Sequence, residues 1–257
     1  MELNYRIAGT GPSVLLIHGG AEDVGMLGAQ AEAIAARGFR VIWYDRRGTG
    51  GSTRSDWPGG GADQHADDAA GLLRSLDALG AIVLGFSSGA VIALALAARH
   101  PEVASQVIAW EPAAIGMLPG GAEMHAAMVA PMDEHLAAHP GDWVGAFHVM
   151  LAVISDGQAD LADPAVKLME ANAEAALRDD GPLITTRSFR AGELPGGLVT
   201  VAVSGQPSPL HAEIADRVAE LIQEKPLVVA AADHHEVYLS APEVLADFLA
   251  APREWKL

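Results

Sequence analysis

The sequence has no cysteine and few positively charged residues. The absence of cysteine from all 257 residues excludes disulfide bonds and thiolate metal sites. Lysine and arginine together number 16 against 33 aspartates and glutamates, which gives a formal net charge of −17. This excess of acid argues against nucleic acids and anionic membranes as partners, because both carry negative charge. We therefore expect a small-molecule substrate, and neither a nucleic acid nor a membrane partner.

The sequence also lacks a hydrophobic run long enough to span a bilayer. Residues 1–6 lack the basic and apolar segments of a signal peptide, so we expect a cytoplasmic protein. Aromatic residues are scarce at 5%, but half of all residues are hydrophobic, which suffices for a full core. The length fits one domain, or one domain with an insertion.

Short apolar runs alternate with helical patterns through the first 112 residues. The runs at 13–17, 40–44 and 106–110 are nearly continuous, which is typical of strands buried on both faces of a parallel sheet. Helical patterns lie between them. This alternation predicts an α/β fold with an open, mostly parallel central sheet flanked by helices on both faces.

The pattern changes between residues 113 and 196. Several helical patterns follow one another there with no strand between them, which predicts a helical cap inserted into an α/β core formed by residues 1–112 and 197–257. The cap contains five methionines, and we expect part of this apolar surface to roof the site. The predicted cap helices cover residues 122–139, 142–154 and 164–178, and the methionines are Met117, Met124, Met128, Met132 and Met150.

The most informative stretch is residues 85–89, which read G-F-S-S-G between an apolar run and a helical pattern. A G-x-S-x-G segment in this context forms a sharp turn that lifts its serine, here Ser87, above the sheet edge. Gly85 and Gly89 are needed because a Cβ there would collide with the neighbouring strand or helix. The N–H of Ser88, in the first turn of the helix, is placed to face a developing oxyanion.

Four motifs in order resemble those of the α/β-hydrolase family, and the resemblance covers nearly the whole chain. They are the His-Gly pair at 18–19, D-R-R-G-T-G at 45–50, the turn at 85–89 and a histidine before the last helix. The resemblance implies that Ser87 is the nucleophile and that the N–H groups of Gly20 and Ser88 form the oxyanion hole. It also implies that the 45–52 loop is a structural turn, and it implies no metal or organic cofactor.

Two adjacent histidines compete for the role of the base. In the family pattern, the catalytic histidine precedes by several residues a proline that opens the final helix. Counting back seven residues from Pro242 gives His235, which we favour over His234. The resemblance implies a structural hydrogen-bonding role for His18, and we expect the remaining histidines, which fall on helical patterns, to be surface or packing residues.

The acid of the triad departs from the usual family pattern. Family members usually present G-x-x-D after the strand that follows the cap, but Ser208 occupies the aspartate place and carries no charge. A minority of the family takes its acid from the end of the strand after the nucleophile helix, where Glu111 lies. We therefore favour Glu111, which keeps the order Ser…Glu…His. Glu213 and Asp216 are weaker alternatives because both fall within a predicted helix.

These residues together predict a serine hydrolase. His235 removes the proton of Ser87, which attacks the carbonyl of an ester, lactone or thioester of a small, largely apolar substrate, while Glu111 orients the imidazole and water releases the acyl group. Two alternatives use the same triad: carbon–carbon bond hydrolysis, and a cofactor-free perhydrolase of the haloperoxidase-like type. A third alternative, from a different class, is a ligand-sensing protein with little turnover. Turnover of p-nitrophenyl esters separates a catalyst from a sensor.

Overall fold

The structure is a computed structural model that describes residues 2–251, so residue 1 and residues 252–257 of the predicted core lie outside it. The strands are β1 (Tyr5–Ala8), β2 (Ser13–Ile17), β3 (Arg40–Tyr44), β4 (Ala81–Phe86), β5 (Ala104–Trp110), β6 (Val199–Ser204) and β7 (Leu227–Val229). The helices are α1 (Gly28–Ala35), α2 (Gly61–Ser75), α3 (Ser88–Arg99), α4 (Gly121–Ala138), α5 (Trp143–Ile154), α6 (Pro164–Met169), α7 (Ala173–Ala175), α8 (Pro209–Ile222), α9 (Val237–Ser240) and α10 (Pro242–Ala250).

The described strands form one seven-stranded sheet in the order β1-β3-β2-β4-β5-β6-β7. Strand β1 is antiparallel to β3, and all other neighbours are parallel. Along β2, Leu15 and Ile17 belong to an apolar cluster that includes side chains of α2, α3 and α8, whereas Val14 and Leu16 belong to a second cluster that includes side chains of α1 and α10. A strand with helices on both faces buries every side chain, which explains its continuous apolar run. The predicted fold class is confirmed.

The register of the parallel strands brings their carboxyl ends to one edge of the sheet. Gly85 of β4 pairs with Ile17 of β2 and with Ala109 of β5, and Trp110 pairs with Ala202 of β6. The residues that follow β2, β4, β5 and β6 therefore emerge side by side. Ligands of open parallel sheets bind at this edge.

Residues 113–196, all of which the structure describes, contain no strand, and we call them the cap segment. The helical pattern predicted at 164–178 is divided in the structure into α6, a short 3₁₀ turn, α7 and a π-helical stretch at Ala176–Ile184. Pro182 lies within that stretch and lacks the N–H that an α-helical ladder requires. No helix among residues 2–251 combines the length and the apolar character needed to cross a membrane.

Candidate active site

The turn between β4 and α3 holds Ser87 in a strained backbone conformation. Ser87 has φ 53° and ψ −117°, a region that non-glycine residues rarely adopt. A Cβ on Gly85 would lie 2.3 Å from the carbonyl oxygen of Gly89, and one on Gly89 would lie 2.3 Å from the carbonyl oxygen of His18. The N–H of Ser87 donates to the carbonyl of Trp110 at 3.1 Å. The two glycines thus permit the close packing that the turn needs.

Glu111 and His235 form a short contact at the carboxyl edge of the sheet. His235 Nδ1 lies 2.7 Å from Glu111 Oε2. The other oxygen, Oε1, accepts hydrogen bonds from the N–H of Ser204 at 2.8 Å and from its hydroxyl at 2.6 Å. Burial raises the pKa of Glu111, but the hydrogen bonds from His235 and Ser204 outweigh it and hold the pKa at about 2. Glu111 is therefore a carboxylate at any pH near neutrality.

His235, rather than His234, faces this carboxylate. The side chain of His235 is 18% exposed, and the indole N–H of Trp110 donates to its carbonyl oxygen at 2.9 Å. The side chain of His234 is 44% exposed and contacts Asp233 and Ser240 instead. Of the two adjacent histidines, His235 is therefore the one that contacts Glu111, the predicted acid.

The structure does not join Ser87 to His235 by a hydrogen bond. Within residues 2–251, neither the hydroxyl of Ser87 nor Nε2 of His235 makes a hydrogen bond, and the N–H groups of Gly20 and Ser88 have no acceptor in the same range. These are the four groups to which the sequence assigns direct contact with the reacting atoms. Glu111, to which it assigns an orienting role, has both carboxylate oxygens engaged.

The loop that follows β2 is hydrogen-bonded to a buried carboxylate, Glu22, that the sequence analysis did not identify. Glu22 Oε2 accepts from the N–H of Gly19 at 2.8 Å, and Oε1 accepts from the hydroxyl of Tyr238 at 2.6 Å. Tyr238 belongs to α9, directly after the His235 loop, and its ring stacks on Phe86. Burial raises the pKa of Glu22 to about 6. Glu22 and Tyr238 therefore connect the predicted oxyanion loop to the predicted histidine loop.

His18 has the structural role implied by the family resemblance. Its Nδ1 lies 2.8 Å from the carbonyl oxygen of Gly19, and its Nε2 accepts from the N–H of Arg46 at 3.1 Å. Burial, and then the charge of Arg46, lower the pKa of His18 well below its ordinary value. His18 is thus a neutral ring that links two loops.

The loop after β3, which the resemblance implies to be a structural turn, also joins the core to the cap segment. The Arg46 guanidinium lies 2.8 Å from Asp180 Oδ1 in a buried ion pair and donates to the carbonyl of Gly19 at 3.0 Å. The hydroxyl of Ser88 donates to the same Asp180 oxygen at 2.6 Å. A Cβ on Gly20 would lie 3.7 Å from Cγ of Asp180, so this cap carboxylate lies beside both residues that carry the predicted oxyanion donors. Only tertiary structure brings Asp180 here, since the cap segment has no motif that marks it.

His211, expected from the sequence to be a surface or packing residue, packs against the predicted base. Its ring stacks on that of His235, with the ring centroids 4.3 Å apart and the planes 9° from parallel. Ser208, at the usual acid position, caps α8 by accepting from the N–H of His211 at 3.2 Å. Glu213 and Asp216 are exposed on the same helix. The position of His211, three residues after Ser208 in the first turn of α8, is the sequence signal that could have identified it.

Glu111, His211 and His235 are close enough to be considered as metal ligands. One ligand atom from each lies within 4.8 Å of the others. The lone pair of an imidazole nitrogen lies in the plane of its ring, and these two rings are stacked nearly parallel. One ion cannot lie in both planes, so this ring arrangement does not fit a metal. It fits a histidine base with an orienting carboxylate.

Comparisons with known proteins identify the family to which this fold belongs. Residues 12–142 match the family model described as alpha/beta hydrolase fold. The uncharacterized hydrolase YraK of Bacillus subtilis is 39% identical over 119 residues, which are 46% of this chain and 44% of that protein. The bifunctional esterase/perhydrolase DCH of Acinetobacter calcoaceticus is 36% identical over 91 residues, which are 35% of this chain and 33% of that protein. The matches thus span less than half the length of these curated relatives.

A solved structure extends the likeness to nearly the full chain. The crystal structure of a bromoperoxidase from Bacillus anthracis aligns with a TM-score of 0.71 at 19% identity and covers 95% of this chain and 92% of that one. At this identity the likeness shows the fold alone.

Proposed function

This chain belongs to the alpha/beta hydrolase fold family, and we propose that it is a serine hydrolase acting on an ester, lactone or thioester through an acyl-enzyme. The observation that carries the proposal is the 2.7 Å contact between Glu111 and His235 at the sheet edge where the strained turn presents Ser87. A carboxylate on Nδ1 of a histidine, beside a serine in such a turn, is the arrangement that activates a serine hydroxyl.

Each group has one task in this mechanism. Glu111 accepts the Nδ1–H of His235, which leaves Nε2 as the basic nitrogen that removes the proton of Ser87. Ser87 attacks the carbonyl carbon, and the N–H groups of Gly20 and Ser88 stabilise the oxyanion. His235 then protonates the leaving group. Water, deprotonated by the same histidine, releases the acid and restores Ser87.

The charges around the site favour an uncharged acyl group. Glu111 and Glu22 are buried carboxylates of the site, held by Ser204 and by the loop after β2. Arg46 is already paired with Asp180. An anionic acyl group would therefore meet negative charge, which the overall net charge of −17 reinforces. We propose a small, largely apolar substrate.

Two assays test the proposal directly. A fluorophosphonate probe should label the wild-type protein and Ser75→Ala, a control on α2, but not Ser87→Ala. Wild-type protein should hydrolyse p-nitrophenyl butyrate faster than the p-nitrophenyl half-ester of succinic acid, which has the same chain length but carries a charge. Labelling of Ser87→Ala would contradict the assignment of the nucleophile, and preference for the half-ester would contradict the substrate class.

Perhydrolysis is the second candidate, and its support is the sequence likeness to an esterase/perhydrolase. The same acyl-enzyme would be attacked by hydrogen peroxide instead of water, which releases a peracid. Incubation with peroxide and p-nitrophenyl acetate, which acylates Ser87 with loss of p-nitrophenol, should then form peracetic acid in wild-type protein and not in Ser87→Ala. If the ester is hydrolysed and no peracid forms, water alone resolves the intermediate.

A further inference from the structure

His235 is held in the site by one strong hydrogen bond, and one bond leaves a ring free to rotate. The bond from Nδ1 to Glu111 fixes a point on the ring but not the plane of the ring. Two other rings lie against it: that of Tyr238 from α9, edge-on at 6.5 Å, and that of His211 from α8. Of these contacts, only that of His211 lies flat against the imidazole.

The ring of His211 is itself fixed by Ser208. The Ser208 hydroxyl accepts from the backbone N–H of His211 and lies 3.0 Å from its Nδ1, so the hydroxyl hydrogen is available for that nitrogen. Donation there places the ring hydrogen of His211 on Nε2 and leaves the ring neutral. Glu111 Oε2 lies 3.8 Å from His211 Nδ1, beyond hydrogen-bonding distance. Glu111 therefore bonds His235 and not its stacked neighbour.

We propose that His211 is a positioning residue of the catalytic triad, whose flat ring holds the ring plane of His235 so that Nδ1 stays on Glu111 while Nε2 is presented to Ser87. This inference rests on the proposed function, since it assigns His235 as the base. It also accounts for the departure at residue 208. Where a family member usually carries an aspartate, this chain carries a serine that orients a second histidine.

Two variants of His211 distinguish the contribution of its flat ring from that of its ring nitrogens. His211→Phe keeps a flat ring, and His211→Leu keeps an apolar side chain but has none. We expect His211→Leu to lose kcat by about tenfold or more, because small misplacements of a catalytic group are that costly, while KM changes by less than about twofold. We expect His211→Phe to stay within about threefold of the wild-type kcat. His100→Leu, at the far end of α3 from Ser87, is the matched control and should not change kcat.

A second readout does not depend on turnover. The proton on Nδ1 of His235 should give a protected low-field NMR signal in the wild type and in His211→Phe, and exchange should broaden it in His211→Leu. If His211→Leu does not fold, His211→Gln, which also lacks a ring, replaces it. The proposal is wrong if the ringless variant keeps both kcat and the signal, or if His211→Phe loses them equally. If wild type neither turns over esters nor labels at Ser87, the proposed function fails, and the NMR comparison still decides the role of His211.

Discussion

Nδ1 of His235 lies 2.7 Å from Oε2 of Glu111, across 124 residues of sequence. Glu111 follows β5 with a positive φ of 39°, and its N–H donates to the carbonyl of Ala202 on β6 at 2.9 Å. The neighbouring Ser204 donates twice to the carboxylate. Contacts with β6 thus hold the Glu111 carboxylate in place independently of its contact with His235. The carboxylate therefore needs to move little when the imidazole becomes charged.

Glu111→Gln should lower kcat by about 100-fold or more, because the amide keeps the shape but removes the charge that stabilises an imidazolium. Steady-state kinetics with p-nitrophenyl butyrate measures the effect. Glu213→Gln is the matched control, since Glu213 is an exposed carboxylate on α8 and should not affect kcat. A loss in the control with full activity in Glu111→Gln would show that the acid was assigned to the wrong residue.

His235→Ala should abolish turnover, whereas His234→Ala should retain most of it. We expect this difference because His235 hydrogen-bonds Glu111, whereas the side chain of His234 is 44% exposed and contacts Asp233 and Ser240. Comparing both variants with the same ester checks the prediction, and an inactive His234→Ala beside an active His235→Ala would exchange the two roles.

Glu22→Gln should change how stability depends on pH. Burial raises the pKa of Glu22 from 4.5 to about 6, so the folded protein binds this proton more tightly than the unfolded chain does. Ionisation of Glu22 therefore destabilises the fold as pH rises from 4.5 towards 6, by about 2 kcal/mol in total. Relative to Glu22→Gln, wild type should lose most of that amount between pH 4.5 and 6.5. Urea unfolding of both proteins at pH 4.5 and at pH 6.5 measures this loss. If the difference in unfolding free energy between wild type and Glu22→Gln is the same at both pH values, the pKa of Glu22 is not raised.

Two ion pairs between the core and the cap segment should differ in their contribution to stability. Arg46–Asp180 is buried, with side-chain exposures of 2% and 8%, whereas Arg54–Glu174 is exposed at 48% and 29%. Asp180→Asn leaves the Arg46 charge buried without its partner and should cost about 3–5 kcal/mol. Glu174→Gln should cost less than about 1 kcal/mol. Chemical denaturation of both variants tests this, and equal losses would mean that the buried pair contributes no more than a surface one.

The local parts of the proposed site could be predicted from sequence alone. The turn at Ser87 depends on two glycines whose missing Cβ atoms allow close backbone packing, and such a requirement leaves a short, readable pattern. The alternation of strands and helices predicts the sheet, and parallel strands bring the residues after them to one edge. The family resemblance, together with the uncharged Ser208, favoured Glu111, and the structure places its carboxylate 2.7 Å from Nδ1 of His235.

Tertiary structure alone decided the rest of the site. His211, Glu22 and Asp180 lie in it because a helix, a loop and the cap segment pack against the sheet edge. Their contacts join segments distant in the chain, so no local spacing records them. Arg46 fell within a recognisable motif, but which carboxylate it would meet depended on how the cap segment folds over the core. Sequence determined which backbone turns and strand ends this protein builds, because local sterics and periodicity act over a few residues. Which side chains contact one another at the strand ends depends on tertiary packing, because only the packed helices, loops and cap segment bring them within hydrogen-bonding distance.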